Sequence, residues 1–192
     1  MTILEIHARI MACTDCPLRA GCKQPVPGSG SEYADVMFVG EGPGAEEDGQ
    51  GNPFMGPSGQ MLRDFVASLE LDNDPFYTNV VKCRPPNNRD PYQSEINSCL
   101  HYLDEQIEAI NPRVIVAVGR HAMRQFLPDD SIMKARGTPR IVHGRVVLPI
   151  VHTAAALYSP ELKPLIAGDL RLIPRLLDTP LESSHNARLT IL

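Results

Sequence analysis

Apolar residues along this chain fall into two kinds of run. Short, largely apolar ones occur at DVMFVG (35–40), FYTNVV (76–81), RVIVAVG (113–119) and VVLPIVH (146–152). Short apolar runs bounded by glycine or turn residues read as strands buried on both faces. Between them, apolar residues recur at helical spacing. Met61, Leu62, Phe65, Val66 and Leu69 form one stripe, with Ser58 as the expected cap. Ile96, Leu100, Leu103 and Ile107 form a second, along a helix expected over 93–110. Further helices are expected over 3–12, 120–126 and 160–177, and the polar tail from Asp178 carries no pattern. Segments 25–31, 41–59 and 84–92 are rich in Gly, Pro, Asn and Asp and read as loops. Residues 131–146 read as irregular or hairpin-like, with His143-Gly144 as a tight turn. Pro149 marks the strand around it as an edge or bulged one.

Strands alternating with helices predict an α/β fold: three α/β/α layers around a central, mainly parallel four-stranded sheet. One domain suits a chain of 192 residues. In open sheets of this kind ligands gather beyond the carboxyl ends of the strands. Glu41, Asn79, Gly119 and His152 occupy those ends, so a single site is expected there.

Composition narrows the function classes. A formal net charge of −5 argues against a non-specific nucleic-acid binder, and any attraction to DNA would come from a local basic face. No apolar run is long enough to span a membrane. The N-terminus, broken by Glu5, His7 and Arg9, lacks the apolar core of a secretory signal. A cytoplasmic monomer is the expectation. Five cysteines, an odd and clustered set, suit metal ligation better than disulfides in a reducing compartment.

The candidate chemistry begins with GEGPGAEED (40–48). The GK[ST] ending of a phosphate-binding loop is absent, and Glu46, Glu47 and Asp48 would repel phosphate. Glycine backbone beside the carboxylate of Glu41 suits close approach to a neutral ligand, with the carboxylate steering water or facing a developing cation. Cys13 and Cys16 form a C-x2-C pair, with Cys83 and Cys99 much further along the chain. Thiolates at this spacing leave zinc and an iron–sulfur cluster open, with Cys22 read as a buried thiol. Asn79 offers an acceptor and donors that match the polar edge of a pyrimidine, or it caps a turn. His152 gains a functional reading from its strand end, whereas His7, His101, His121, His143 and His185 gain none. Phe54 in NPFMGPSG suits stacking on a planar base or anchoring the loop. Lys82, Arg84 and Arg89 read as a solvated cluster or a phosphate-binding rim.

Taken together, CTDCPL, VPGSG, GEGPGAEEDGQGNPFMGPSGQML, YTNVVKCRPPNNRDP, VGRHA and VHTAAAL resemble the family 4 uracil-DNA glycosylases over about residues 10–177. The resemblance implies a monofunctional enzyme that flips uracil out of DNA and hydrolyses its N-glycosidic bond. It also implies a structural [4Fe–4S] cluster held by Cys13, Cys16, Cys83 and Cys99. Glu41, Asn88 and His152 would be catalytic: the first two near the water, the histidine facing uracil O2. Gly40 and Gly42 belong to the loop behind the base. Glu47 would crowd the C5 side, Phe54 would stack, and Asn79 would pair with the polar edge. The chain departs from the family in its second motif, where Thr153 replaces a proline and Tyr158-Ser159 follow Leu157 in place of an early arginine. It also lacks the KRRIH-like insertion of the branch that cross-links itself to DNA. A non-catalytic DNA-damage sensor and a nucleotide-binding regulator are the rival readings.

Overall fold

The computed structural model describes residues 1–179. In chain order its elements are α1 (Ile3–Ala12), α2 (Leu18–Gly21), β1 (Val36–Gly40), α3 (Ala45–Gln50), α4 (Pro57–Ala67) and β2 (Phe76–Asn79). A single 3-10 turn, Pro86–Asn88, precedes α5 (Gln93–Ile110), β3 (Val114–Val118), α6 (Arg120–Phe126) and α7 (Ile132–Ala135). The hairpin β4 (Arg140–Val142) and β5 (Arg145–Ile150) follows, then α8 (Ala155–Tyr158), a 3-10 turn at Pro160–Leu162, α9 (Lys163–Leu170) and α10 (Ile173–Asp178).

The sheet runs β2-β1-β3-β5-β4. Its first four strands are parallel, and β4 pairs antiparallel with β5. Five strands therefore replace the four expected. The added strand is the first arm of the hairpin at His143-Gly144, where both turn residues take positive φ.

Period-two alternation divides the strands between two cores. Met37, Val39, Ile115, Ala117 and Val147 face α1, α5 and α6. Val36, Phe38, Val116, Leu148 and Ile150 face α4, α9 and α10. Each such buried side chain contributes roughly 1.5–3 kcal/mol relative to exposure. Every residue of β1, β2 and β3 is buried, which is why β1 and β3 read as continuous apolar runs, whereas β2 also buries Thr78 and Asn79.

Pro149 lies inside the sheet, not at its edge. The Val146 N–H donates to Arg113 O, so even-numbered residues of β5 face β3 and Pro149 faces the β4 side. There β4 has already ended, since its last pair is Arg140 with Val147. No ladder donor is lost, and the Pro149 carbonyl still accepts from Gly137 at 2.9 Å. At the opposite edge, Ser29 exchanges two backbone hydrogen bonds with Tyr77 at 2.7 and 2.9 Å, which covers the end strand β2. Gly28 and Gly30 permit this approach: a Cβ on Gly30 would lie 2.0 Å from Pro75 O.

Other departures have local causes. Gly56, not Ser58, is the N-cap of α4, with Pro57 in the first helical turn. The expected loop 41–59 contains α3. The strand at 76–81 stops at Asn79, and the helix expected over 160–177 is three pieces, with Pro164 and Pro174 opening the two α-helices. From residue 180 the polar tail lies outside the described residues. No helix among those described is long and apolar enough to cross a membrane.

Leu62 on α4 is fully buried against the second core, away from the cysteines. Leu62→Ala should cost about 2–5 kcal/mol in urea denaturation. A loss below about 1 kcal/mol would mean the α4 face is not packed as described.

Candidate active site

The carboxyl ends of β1, β2 and β5 open into a cavity of about 320 Å³. Glu41, Gly42, Glu47, Phe54, Asn79, Asn88 and His152 all line it. Gly40 acts through what it lacks: a Cβ there would lie 2.4 Å from Asn79 Oδ1 and 2.8 Å from the Phe54 ring. Real Cβ atoms do not approach that closely, so glycine at 40 allows the amide and the ring to meet.

The four carboxylates of the acidic loop have separate duties. Asp48 is buried and accepts from the Lys23 N–H at 2.8 Å, tying α3 to the segment after the cysteine pair. Glu46 is exposed. Glu47 accepts from the N–H groups of Gly44 (3.0 Å), Met55 (2.8 Å) and Gly56 (2.9 Å). Its carboxylate is thus a fixed wall of the cavity. Glu41 remains; burial pushes its carboxyl up, against the opposing pull of His121.

Phe54 both lines the cavity and belongs to the second core, so stacking surface and loop anchor are the same ring. Its backbone takes φ 56°, a rare value for an aromatic residue. Arg63 secures it by donating to Phe54 O (3.0 Å) and Pro53 O (2.9 Å) while lying 4.1 Å over the Tyr77 ring.

At the end of β2 the Asn79 side-chain amide has no hydrogen-bond partner among the described residues, although the residue is 4% exposed. The Asn79 backbone carbonyl accepts from Lys82 Nζ at 2.7 Å. Lys82 is buried, contrary to the surface role expected of it; the ammonium also donates to Thr78 Oγ1 (2.8 Å) and Gln106 Oε1 (2.7 Å). Three acceptors compensate its burial, which still lowers its pKa to about 8.

His152 Nδ1 accepts from the Ala154 N–H at 3.1 Å, which leaves the proton of the neutral ring on Nε2. Burial depresses its pKa, and Glu47 partly opposes the shift. The loop after it buries Thr153, whose hydroxyl has no partner among the described residues, and leaves Tyr158 89% exposed. Asn88 lines the cavity as well, exposed and in positive φ, with Oδ1 accepting from Arg84 Nε at 2.7 Å. Arg89, also in the lining, is held by Glu95 at 2.6 and 2.8 Å and lies 3.8 Å over Tyr92.

His121 and Asp90 were not among the expected site residues. His121 Nε2 lies 3.7 Å from Glu41 Oε2 and 3.3 Å from Asp90 Oδ2. Its position two residues after Gly119, just past the end of β3, was the available signal.

Cys13, Cys16, Cys83 and Cys99 line a second, small cavity beneath α1 and α5. Burial pushes the thiols of Cys16, Cys83 and Cys99 up, and the neighbouring cysteines add to the shift. Among the described residues no three of these sulfurs lie within 4.8 Å of one another. Cys22 is buried outside that lining, with its thiol 3.6 Å from Arg19 O.

A parallel sheet with a compact polar cavity at its carboxyl edge, walled by an aromatic ring, an amide and a neutral imidazole, defines a receptor for a small planar polar ligand. Residues 27–170 match the uracil DNA glycosylase superfamily. The chain is 41% identical over 187 residues to a type-4 uracil-DNA glycosylase of Sulfurisphaera tokodaii, covering 92% of this chain and 85% of that one. It is 41% identical over 182 residues to the type-4 enzyme of Archaeoglobus fulgidus, covering 90% and 92%. With the Thermotoga maritima type-4 enzyme it shares 41% over 171 residues, 86% and 89% of the two chains. The chain belongs to the uracil-DNA glycosylase superfamily, in its type-4 branch.

The buried neutral His152 makes stability depend on pH. In the unfolded chain an imidazole titrates near about 6.5. Because the folded value is depressed, this contribution is full above that pH and is lost as pH falls toward the folded pKa. His152→Gln should therefore lose less melting temperature than the native protein between about pH 7 and about pH 5. His7, also depressed by burial, titrates in both proteins. Equal slopes would mean that His152 is not held neutral.

Proposed function

We propose that this protein hydrolyses the N-glycosidic bond of deoxyuridine in DNA, releasing uracil and leaving an abasic site for base-excision repair. The observation that carries this reading is the unpartnered Asn79 amide inside a cavity of base size, facing the space that His152 and Phe54 also line. The type-4 relatives act, by name, on uracil in DNA.

The flipped base stacks on Phe54, and Asn79 reads its N3–H and O4 together, an edge that cytosine presents with donors and acceptors exchanged. The immobile Glu47 carboxylate narrows the C5 side, where thymine would carry its methyl group. As the N1–C1′ bond breaks, its electron pair passes to uracil and spreads to O2, which takes a hydrogen bond from His152 Nε2–H. The neutral ring suits that task, since the donor is present without first binding a proton. Glu41 and Asn88, both in the cavity lining, hold the water. Its oxygen bonds to C1′ and its proton passes to the Glu41 carboxylate. Among the described residues no lysine lines the cavity to trap the sugar as a Schiff base, which fits a monofunctional enzyme.

We also propose that Cys13, Cys16, Cys83 and Cys99 would hold a structural [4Fe–4S] cluster. A zinc–thiolate tetrahedron, with Zn–S of about 2.3 Å, needs sulfurs about 3.8 Å apart. The wider spread of these four suits a polynuclear cluster better, and their closed, buried cavity suits a structural one. Such a cluster would brace α1 against α5 and the 82–83 segment. A thiolate-held cluster fits a reducing compartment, so the cytoplasm is the proposed location.

Incubation with a uracil-containing oligonucleotide followed by alkali should break the strand at uracil. Binding without breakage would overturn the catalytic reading. Asn79→Ala should lower excision at least about a hundredfold while the fold is kept, since the base edge then meets no matched partner. Full activity in that variant would remove Asn79 from base recognition. Purified protein should absorb broadly near ~400 nm and contain iron and sulfide; a colourless protein with one equivalent of zinc would refute the cluster.

A further inference from the structure

Behind Glu41 lies a cluster that the hydrolysis described above does not use. His121 Nε2 is 3.7 Å from Glu41 Oε2, 3.3 Å from Asp90 Oδ2 and 3.1 Å from Arg120 Nε. Arg120 in turn pairs with Asp90 through Nη2. The His121 side chain is 14% exposed and that of Glu41 29%, whereas Asp90 is 56% exposed and closes the cluster from outside. Three separate segments meet here: the exit of β1, the loop before α5, and the first turn of α6.

The backbone leaves little freedom in this arrangement. Gly119, at φ 88°, turns the chain out of β3 and into α6, and a Cβ there would lie 3.0 Å from His152 Cβ. One strand exit therefore both packs against His152 and delivers His121 to the back of Glu41. On the other side, the Val81 N–H donates to Glu41 O at 3.0 Å and fixes the main chain of that residue.

We propose that His121 is a positioning residue for hydrolysis: backed by Asp90 and Arg120, its imidazole steers the Glu41 carboxylate that receives the proton of the attacking water. The inference rests on the proposed role of Glu41. Donor atoms of Glu41, Asp90 and His121 lie within 4.8 Å of one another, a spacing that would also suit a bound cation. Arg120 already supplies positive charge at that point, so the group is an ion-pair relay rather than a metal centre. Nε2 has a partner in either protonation state: neutral, it accepts from Arg120; protonated, it donates to Asp90 and faces Glu41.

The charged groups that face Glu41 are Asp90, Arg120 and His121, and their signs decide what each substitution does. Burial and Asp90 push the Glu41 carboxyl up, while His121 and Arg120 pull it down. Glu41 must be ionised to take a proton, so activity falls on the acid side as it protonates. His121→Gln removes a downward pull, and the acid limb should move to higher pH. Asp90→Asn removes an upward push, and the limb should move to lower pH.

The test is the single-turnover excision rate against pH on a uracil-containing single-stranded oligonucleotide, with melting temperatures recorded for every variant. His121→Gln should shift the acid limb up by about half to one pH unit, and Asp90→Asn should shift it down by a few tenths, about what partly exposed pairs give. At alkaline pH both variants should stay within about threefold of the native rate, because Glu41 is then ionised in all of them. A purely structural role would lower the plateau and leave the limb in place. Limbs superimposable on the native one in both variants would overturn the proposal. Should His121→Gln fail to fold, the downward shift in Asp90→Asn, an exposed position, still decides: a limb unmoved or moved upward overturns it. Glu41→Gln separates the two readings. If that variant keeps native activity, the role of Glu41 falls; if it loses activity while the limbs stay fixed, only His121 falls.

Discussion

The site depends on one carboxylate that performs no chemistry. Glu47 gathers the N–H groups of Gly44, Met55 and Gly56, so both ends of the stretch between Glu41 and Phe54 are fastened to a single side chain. Charge-assisted bonds to backbone donors are short and about twice as strong as neutral ones. Their effect here is geometric as much as energetic. The stretch carries the carboxylate proposed to take a proton at one end and the aromatic wall at the other. Without a rigid fastening, a run so rich in glycine would sample many arrangements, and each would cost binding or rate. The unusual φ of Phe54 is the strain that this fastening and Arg63 together hold in place.

A second constraint joins the strand exits. Past the end of the ladder, the Val80 and Val81 N–H groups still donate to the carbonyls of Gly40 and Glu41, at 2.9 and 3.0 Å. Glu41 and Asn79 therefore keep a fixed separation although neither sits in regular pairing with the other. Lys82 completes the arrangement from below. Its ammonium fixes the carbonyl of Asn79, and its backbone N–H points to Cys99 Sγ at 3.3 Å. Lys82 thus lines the cysteine cavity and holds the backbone of Asn79, which lines the base-sized one, so a single residue couples the two.

Much of the fold was legible because it follows from period and punctuation. The bounds of α1, α5 and α6 match their patterns, and the central strand β3 announces itself as unbroken Val, Ile and Ala. The site was legible as strand ends: Glu41, Asn79 and His152 meet where an open parallel sheet gathers its ligands. What escaped had specific causes. Helix α3 hid behind its own glycines, and its acidic first turn, a helix-start signal, was read as chemistry instead. Proline at the openings of α9 and α10 was read through as helix interior. The burial of Lys82 could not be seen, because a lysine is almost never buried unless paired, and part of its pairing comes from Gln106, far along the chain on α5. His121 sits past a strand end like His152, two residues beyond Gly119.

The net charge of −5 looks ill-suited to a DNA enzyme, and the cavity rim shows how the two are compatible. Arg84 keeps its charge beside the neutral amide of Asn88, but two of the rim arginines are already engaged with carboxylates: Arg89 with Glu95, and Arg120 with Asp90. Pairs of this kind contribute little long-range field, so counterion release, the main source of indiscriminate affinity, is small. Binding must then draw on what the cavity offers a single extruded base: a ring to stack on, a free amide and an imidazole donor. An enzyme that holds ordinary DNA weakly spends little time on undamaged sequence, and the cost of flipping falls most lightly on bases already mispaired. On the proposed reading, the acidic surface and the compact polar cavity serve one end, because selectivity rises as the non-specific share of binding falls.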